Sequence, residues 1–164
     1  MEIRRARPED AAAIAAVHVR SWQAAYEHVF GAERLAALDP EPRRVSGARW
    51  LAEPETDACG AVEDGAVVAF VSTGPSRDDP EEGELYAIYA LPEAWGSGAG
   101  GALLDAAVDA LRERGYPEAI LWVLEDNPRP RRFYEREGWR ADGHEREGEH
   151  LGVRTVEIRY RISL

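Results

Sequence analysis

Three glycines with the spacing G-x-G-x-x-G, at Gly96, Gly98 and Gly101, stand directly before a stretch in which apolar residues recur at helical spacing. Glycines let backbone N–H groups converge on one point, and the first turn of a helix adds unpaired N–H groups and a dipole that favours an anion. The pattern therefore predicts a phosphate or pyrophosphate site. The alternative is a glycine-rich start of a helix that binds no ligand.

This spacing is also typical of the dinucleotide-binding turn of oxidoreductases, in which the glycines follow a strand at once and an acid comes about 20 residues later. Glu125 or Asp126 could serve as that acid, but the segment Leu91–Trp95 separates the glycines from the strand before them. The residues before the loop do not form a β-α-β array, and those after it are too few for a doubly wound sheet. The sequence therefore favours a different fold.

Periodicity and turn signals predict the order strand, helices, three strands, helix, strand, helix, two strands. Asp64-Gly65 is a hairpin signal, and the last two strands are predicted to turn near Gly148. The fold class is mixed α/β (α+β): a mostly antiparallel sheet of about seven strands flanked by helices, with one parallel, right-handed β-α-β crossover from the fourth strand to the fifth. Strands are expected at residues 2–6, 58–62, 67–72, 84–91, 119–124 and twice within 139–162, and helices at 8–26, 32–38, 42–51, 99–114 and 130–137.

Length and composition indicate one globular domain over residues 1–164, because the chain has 164 residues of which 45% are hydrophobic. The only cysteine, Cys59, is interpreted as a small buried hydrophobe, since no histidine pattern near it suggests a base. The main core is expected to form from apolar residues of the crossover: Leu85, Ile88, Leu91, Leu103, Leu104, Val108, Leu111, Ile120 and Trp122.

The formal net charge of −11 bears on the partners. An acidic surface disfavours nucleic acid and favours a cationic acceptor, although acidity that only maintains solubility is the simpler interpretation. Met1 leads into a charged segment without a signal peptide or a membrane-spanning run, so no membrane association and a cytoplasmic location are expected. His144 and His150 lack the spacing of a zinc site, so no metal is expected.

The residues on both sides of the glycine loop extend the pattern. A strand, the segment L-P-E-A-W-G-S-G-A-G, a helix, a second strand and then N-P-R-P-R-R-F-Y-E-R-E-G-W follow one another from Glu84 to Trp139. This succession resembles the GCN5-related N-acetyltransferase (GNAT) family, with two motifs at matching spacing and a fitting strand order from end to end. The resemblance implies the GNAT fold and direct transfer of an acetyl group to a primary amine, with acetyl-CoA as co-substrate.

The resemblance also implies a set of cofactor contacts. The amides from Gly96 to Gly101 would bind the CoA pyrophosphate, while Trp95 stands where the family has a basic or amide residue. The segment Ile88-Tyr89-Ala90 would pair with the pantetheine arm on a bulged strand that splays from its neighbour, where a strand N–H polarises the thioester carbonyl. The cofactor-binding candidates are therefore Ile88, Tyr89, Ala90, Gly96, Ser97, Gly98, Ala99, Gly100, Gly101 and Asn127, of which Asn127 is also suited to cap a helix.

Two residues are the catalytic candidates. By resemblance, Tyr134 lies near the CoA sulfur and protonates the departing thiolate; the alternative is a half-buried core aromatic. Glu84 stands where related enzymes often place a carboxylate, and it is the candidate base for the attacking amine; the alternative is a solvated glutamate at a strand start. Pro130 departs from the family pattern, so the sequence does not decide the conformation of the first turn of its helix.

The acceptor side is predicted from aromatic residues. Tyr86 alternates onto the same face of its strand as Glu84. His18, Trp22 and Tyr26 form one stripe of the first long helix, and a core face is the simpler interpretation of such a stripe. However, HVRSWQAAY resembles a subset of the family in which this helix borders the acceptor pocket. Trp22, Tyr26 and Tyr86 are therefore the candidate acceptor contacts.

Three hypotheses of function remain open at this point. The first is an N-acetyltransferase whose acceptor is a small amine, a protein N-terminus or a lysine. The second is a GNAT-fold module that binds acyl-CoA as a sensor without turnover. The third is a nucleotide-dependent oxidoreductase, which the predicted topology argues against. A homodimer through the C-terminal strands is expected from the resemblance alone.

Overall fold

The computed structural model describes residues 1–164 and contains one seven-stranded sheet in the order β1-β2-β3-β4-β5-β7-β6. All neighbouring strands are antiparallel except β4 and β5, which are parallel and joined by a helix. The predicted fold class is thus confirmed. The strands are β1 (Glu2–Arg5), β2 (Asp57–Glu63), β3 (Ala66–Pro75), β4 (Gly83–Ala90), β5 (Glu118–Leu124), β6 (Arg140–His150) and β7 (Val153–Ser163).

Six helices cover the two faces of the sheet. On one face α5 packs against β1 to β4; on the other, α1 lies over β3 and β4, and α4 packs on α1. Short 3₁₀ turns at Pro8–Asp10 and Pro92–Ala94 precede α1 and the glycine loop. The helices are α1 (Ala11–Ala25), α2 (Glu27–Phe30), α3 (Ala32–Ala36), α4 (Glu41–Trp50), α5 (Ala99–Glu113) and α6 (Pro128–Arg136). None of them has both the length and the apolar content needed to cross a bilayer.

The main core lies between α5, α6 and the sheet. It includes four of the predicted core residues in buried positions, Leu85, Leu103, Leu104 and Leu111, whereas Ile120 is buried on the opposite face of β5. Trp139 and Tyr160 are also fully buried there, although neither was among the predicted core residues. Cys59, predicted to be a small buried hydrophobe, packs against this core and is half-buried; its burial raises the pKa of the thiol.

The hairpins β2–β3 and β6–β7 both turn at residues with positive φ. Asp64 and Gly65 both have positive φ, 50° and 80°, which is the conformation of the tight turn that the sequence predicted. The last hairpin turns at Leu151 and Gly152, with φ of 51° and 75°, and not near Gly148. Gly148 lies inside β6 opposite Thr155, because a glycine in a strand does not by itself end the strand.

Helix α6 starts two residues earlier than predicted. It begins at Pro128, with Pro130 also in its first turn. The missing N–H of a proline removes no helical hydrogen bond in this turn, since the first N–H groups have no partner inside the helix. The departure at Pro130 therefore leaves the first turn intact.

Strands β4 and β5 pair only at their beginnings. The register contains Gly83 opposite Ala119 and Glu84 opposite Ile120, and no further pairs. On its other edge β4 continues to pair with β3 as far as Ala90, with a bulge where Tyr86 is the extra residue. Beyond Glu84 the two parallel strands therefore diverge, and the sheet opens between them.

Candidate active site

The split between β4 and β5 provides unpaired backbone groups at the centre of the sheet. From Leu85 to Ala90 the edge of β4 that faces β5 has no ladder partner. Buried N–H and C=O groups in proteins nearly always have partners, so such an edge is suited to receive an extended chain of amide character. This is the geometry that the pantetheine arm of CoA would need along the predicted segment Ile88-Tyr89-Ala90.

The glycine loop follows directly from this edge. Gly96 and Gly98 adopt φ of +78° and +91°, a region that favours glycine, and both are exposed. The N–H groups of Gly98, Gly100 and Gly101 make no hydrogen bond within the protein. The loop thus presents free donors at the positive end of α5, and these donors fit the pyrophosphate of CoA.

Trp95, the departure from the family pattern, has a structural role beside this loop. Its indole N–H donates to the carbonyl oxygen of Ala90 at 3.0 Å, and the guanidinium of Arg129 lies 4.0 Å from the centre of its ring. Arg129 therefore brings a positive charge to the side of the loop where the family has a basic side chain. Arg129 was not among the residues predicted from the sequence; its position two residues after Asn127 was the available signal.

Asn127 and Tyr134 are both buried, at 6% and 7% exposure. Asn127 stands at the start of α6, but its side chain makes no capping hydrogen bond, so the capping role is not observed. Burial, and secondarily the neighbouring Tyr89, raises the pKa of Tyr134, and the hydroxyl therefore stays protonated at neutral pH. A protonated, buried hydroxyl near the split meets the requirement for a general acid.

Glu84 is 4% exposed and is not the solvated residue of the alternative interpretation. Its carboxylate accepts a hydrogen bond from the N–H of Arg77 at 3.0 Å. Burial raises the pKa of Glu84, and this hydrogen bond opposes the shift. A carboxyl group whose pKa lies above its ordinary value is better suited to take a proton from an amine than an exposed one.

Tyr86 lies on the same face as Glu84, as predicted. Its hydroxyl donates a hydrogen bond to the carbonyl oxygen of Pro75, and its ring meets that of Trp50 edge-on at 6.3 Å. Burial raises the pKa of Tyr86 to about 12. The phenol is thus held in place by the ends of α4 and β3.

The stripe on α1 faces the open end of the split. Trp22 meets Tyr26 edge-on at 5.0 Å, and the hydroxyl of Tyr26 lies beside the side chains of Asn127 and Tyr89. The indole N–H of Trp22 is buried without a hydrogen-bond partner. The structure therefore brings the predicted acceptor contacts Trp22 and Tyr26 next to the predicted cofactor contacts, while Glu84 lies at the closed end of the split.

Two concave regions away from the split contain none of the predicted site residues. No group of three or more His, Cys, Asp or Glu residues is placed to hold a metal ion. A cavity of about 460 Å³ lies between α2, the end of β5 and the start of β7, and it contains none of the predicted site residues. Arg131, in the first half of α6, donates hydrogen bonds to the Tyr160 hydroxyl and the Glu125 carbonyl oxygen.

Comparison with known proteins identifies the family. The sequence model of the Acetyltransferase (GNAT) family matches residues 12–139, which is more than half of the chain. The chain belongs to the GNAT family of N-acetyltransferases. It is 36% identical over 129 residues to an uncharacterised N-acetyltransferase of Bacillus subtilis, YuaI, a match that covers 77% of this chain and 73% of that protein.

Solved structures agree on the fold. The PaiA N-acetyltransferase of Thermoplasma acidophilum in complex with coenzyme A superposes with a TM-score of 0.81 at 19% identity, over 99% of this chain and 98% of that one. YncA of Salmonella typhimurium, determined with its cofactor acetyl-CoA, superposes with a TM-score of 0.75 at 22% identity, over 99% and 93%. The members of the family with this fold thus include proteins that bind CoA or acetyl-CoA.

Proposed function

We propose that this N-acetyltransferase uses acetyl-CoA as its co-substrate and transfers the acetyl group directly to a primary amine of a small molecule or peptide. The observation that carries the proposal is the row of free N–H groups at Gly98, Gly100 and Gly101, which starts where β4 separates from β5. A pyrophosphate on this row and a pantetheine arm in the split would satisfy both sets of unpaired backbone groups.

The charges beside the loop support this placement. CoA is an anion at its phosphates, and Arg129 lies on Trp95 next to the exposed glycines. A guanidinium that is stacked on an indole keeps its N–H edges free for phosphate oxygens. Arg129 therefore joins the loop amides as a proposed cofactor contact, and Asn127 is proposed to contact the pantetheine arm.

The proposed chemistry is attack of the neutral amine nitrogen on the thioester carbonyl carbon. Glu84 takes the amine proton, the C–S bond breaks as the new C–N bond is completed, and the Tyr134 hydroxyl gives a proton to the departing thiolate. A backbone N–H on the free edge of β4 stabilises the carbonyl oxygen as it gains charge. Trp22, Tyr26 and Tyr86 are proposed to line the acceptor side.

The experiment is titration calorimetry of the purified protein with acetyl-CoA, with NAD and NADP as controls. Micromolar binding of acetyl-CoA alone supports the cofactor assignment, and a preference for either dinucleotide overturns it. A screen of amines by release of free thiol then separates an enzyme from a sensor. Tight binding of acetyl-CoA without transfer to any amine would support the sensor and contradict the proposed transfer.

A further inference from the structure

Four side chains from three other parts of the chain surround the Glu84 carboxylate and form a connected cluster of five residues with it. Arg77 and Asp78 come from the loop between β3 and β4, Trp122 comes from β5, and Arg146 comes from β6. The Asp78 carboxylate accepts the indole N–H of Trp122 at 3.1 Å. We name these five residues the Glu84 cluster.

The two arginines of the cluster are each fixed on an aromatic ring. The guanidinium carbon of Arg77 lies 4.6 Å from the centre of the Tyr86 ring, and that of Arg146 lies 4.2 Å from the centre of the Trp122 ring. Stacking orients the plane of a guanidinium and leaves the N–H groups at its edge available. The rings of Tyr86 and Trp122 therefore restrict the directions in which the two guanidinium groups point their N–H donors.

Most of these donors have no partner in the protein. The side chain of Arg77 makes no hydrogen bond and no ion pair, and Arg146 uses one terminal nitrogen, on Glu157 at 3.2 Å. Both cations lie close enough to Glu84 to favour its charged form, while Asp78 opposes them. The guanidinium of Arg77 is therefore a free pair of parallel N–H donors beside the Glu84 carboxylate. Such a pair matches the two oxygens of a ligand carboxylate.

The net charge of the chain does not describe this surface. The value of −11 is a sum over 20 basic and 31 acidic residues. Asp78 keeps its negative charge when one of its oxygens accepts the indole N–H of Trp122, but the two arginines of the cluster balance the charges of Asp78 and Glu84. Most of the unused hydrogen-bonding groups next to Glu84 are the N–H donors of Arg77 and Arg146, and donors recognise an oxyanion.

We infer that the acceptor is an α-amino acid, whose carboxylate is bound by Arg77 and Arg146 while its amine faces Glu84. This inference rests on the proposed function and narrows its acceptor from primary amines in general to zwitterionic ones. Arg77 contributes its whole free edge, and Arg146 contributes the nitrogens that Glu157 leaves unused. Tyr86 and Trp122 hold the two guanidinium groups in position.

The test compares matched amines with acetyl-CoA as donor and free-thiol release as the readout. Each of the twenty α-amino acids is compared with its carboxamide and its decarboxylated amine, with rates expressed per concentration of unprotonated amine. We expect at least one amino acid to be acetylated with a kcat/KM about 10- to 100-fold above both partners, the effect of hydrogen bonds to a charged group. Equal or better rates with the decarboxylated amines overturn the inference and leave the proposed function intact.

Variants separate recognition from folding. For the preferred amino acid, Arg77→Gln and Arg146→Gln should each lower kcat/KM about 10-fold or more, mainly through KM, without changing acetyl-CoA affinity. Arg77→Lys should restore part of the loss. Arg112→Gln is the matched control, because Arg112 is an exposed arginine on α5 that pairs only with Asp109.

The outcomes are distinguishable. If Arg77→Gln lowers the rate with the amino acid and with the decarboxylated amine by the same factor, Arg77 does not bind the carboxylate and the inference fails. If no amine of any class is acetylated although acetyl-CoA binds, the proposed function fails and this inference fails with it. Calorimetric titration of the preferred amino acid into the CoA-bound protein gives a second readout, in which Arg77→Gln should weaken binding.

Discussion

The imidazole of His18 stacks on the phenol ring of Tyr89, with the ring centres 4.6 Å apart and the planes inclined by 18°. This contact ties α1 to the part of β4 that has separated from β5. The Nε2 atom of His18 is buried without a hydrogen-bond partner. Burial, with a smaller effect of the nearby Arg43, lowers the pKa of His18 from 6.5 to about 4, so the imidazole is neutral at pH 7.

This pKa predicts how stability depends on pH. Between pH 6.5 and pH 4 the unfolded chain binds a proton at His18 that the folded chain does not, so stability falls as the pH is lowered. The difference between the two pKa values corresponds to roughly 3 kcal/mol. Urea unfolding of the wild type and of His18→Gln from pH 7 to pH 4 should show the wild type losing more stability.

The control for that experiment is His144→Gln, because the side chain of His144 is 63% exposed. Its stability should follow the wild-type curve over the same pH range. Parallel curves for the wild type and His18→Gln would show that the imidazole is not kept neutral by the fold.

Gly98 and Gly115 allow the conformational and ligand-binding roles of the loop to be separated. They stand at the two ends of α5, both with φ in the left-handed region (+91° and +84°) and with no atom within 4 Å of an added Cβ. Gly98→Ala and Gly115→Ala should each lose about 1 kcal/mol of stability through backbone strain. Only Gly98→Ala should also weaken acetyl-CoA binding in calorimetry. If Gly98→Ala and Gly115→Ala bind acetyl-CoA with the same affinity, the pyrophosphate does not bind at the glycine loop.

Features that depend on a few neighbouring residues could be predicted from the sequence. The turn at Asp64 and Gly65 requires positive φ, which Asp-Gly supplies. The glycine loop and its helix follow from the same local reasoning. The turn near Gly148 was wrong because positive φ is adopted instead by Leu151, a residue type that rarely adopts it.

Features that depend on which face a side chain takes could not be predicted. Trp122 was expected in the core, but it is half-exposed on the opposite face, between Asp78 and Arg146. Every residue from Ala119 to Leu124 is apolar, so this strand has no alternation from which to assign faces. Arg77 and Arg146 are 69 positions apart, and only the sheet brings them to one carboxylate.

Tyr134→Phe should lower kcat by a factor of about 100 or more while acetyl-CoA affinity stays unchanged, because it removes a general acid but not a binding group. Tyr160→Phe is the matched control. The two rings lie 6.4 Å apart on the same face, but the Tyr160 hydroxyl donates to Glu135 at 2.8 Å and is not proposed to meet the substrate. Tyr160→Phe should lose stability and keep its kcat. A similar kcat for Tyr134→Phe and the wild type would assign thiolate protonation to another group.

Glu84→Gln should lower activity and raise stability at neutral pH. Because burial raises the pKa of Glu84 in the folded protein, the folding free energy becomes less favourable as the pH rises through that value and the buried group loses its proton. The amide avoids this cost and still accepts the N–H of Arg77, so the variant should melt above the wild type at pH 8, with the difference disappearing below the ordinary pKa of 4.5. Its kcat/KM should fall about 100-fold or more.

The control is Glu82→Gln, which breaks an ion pair with Arg161 and should instead lose stability and retain activity. A Glu84→Gln protein that is active and less stable than the wild type would mean that the carboxylate holds the loop and does not take the amine proton.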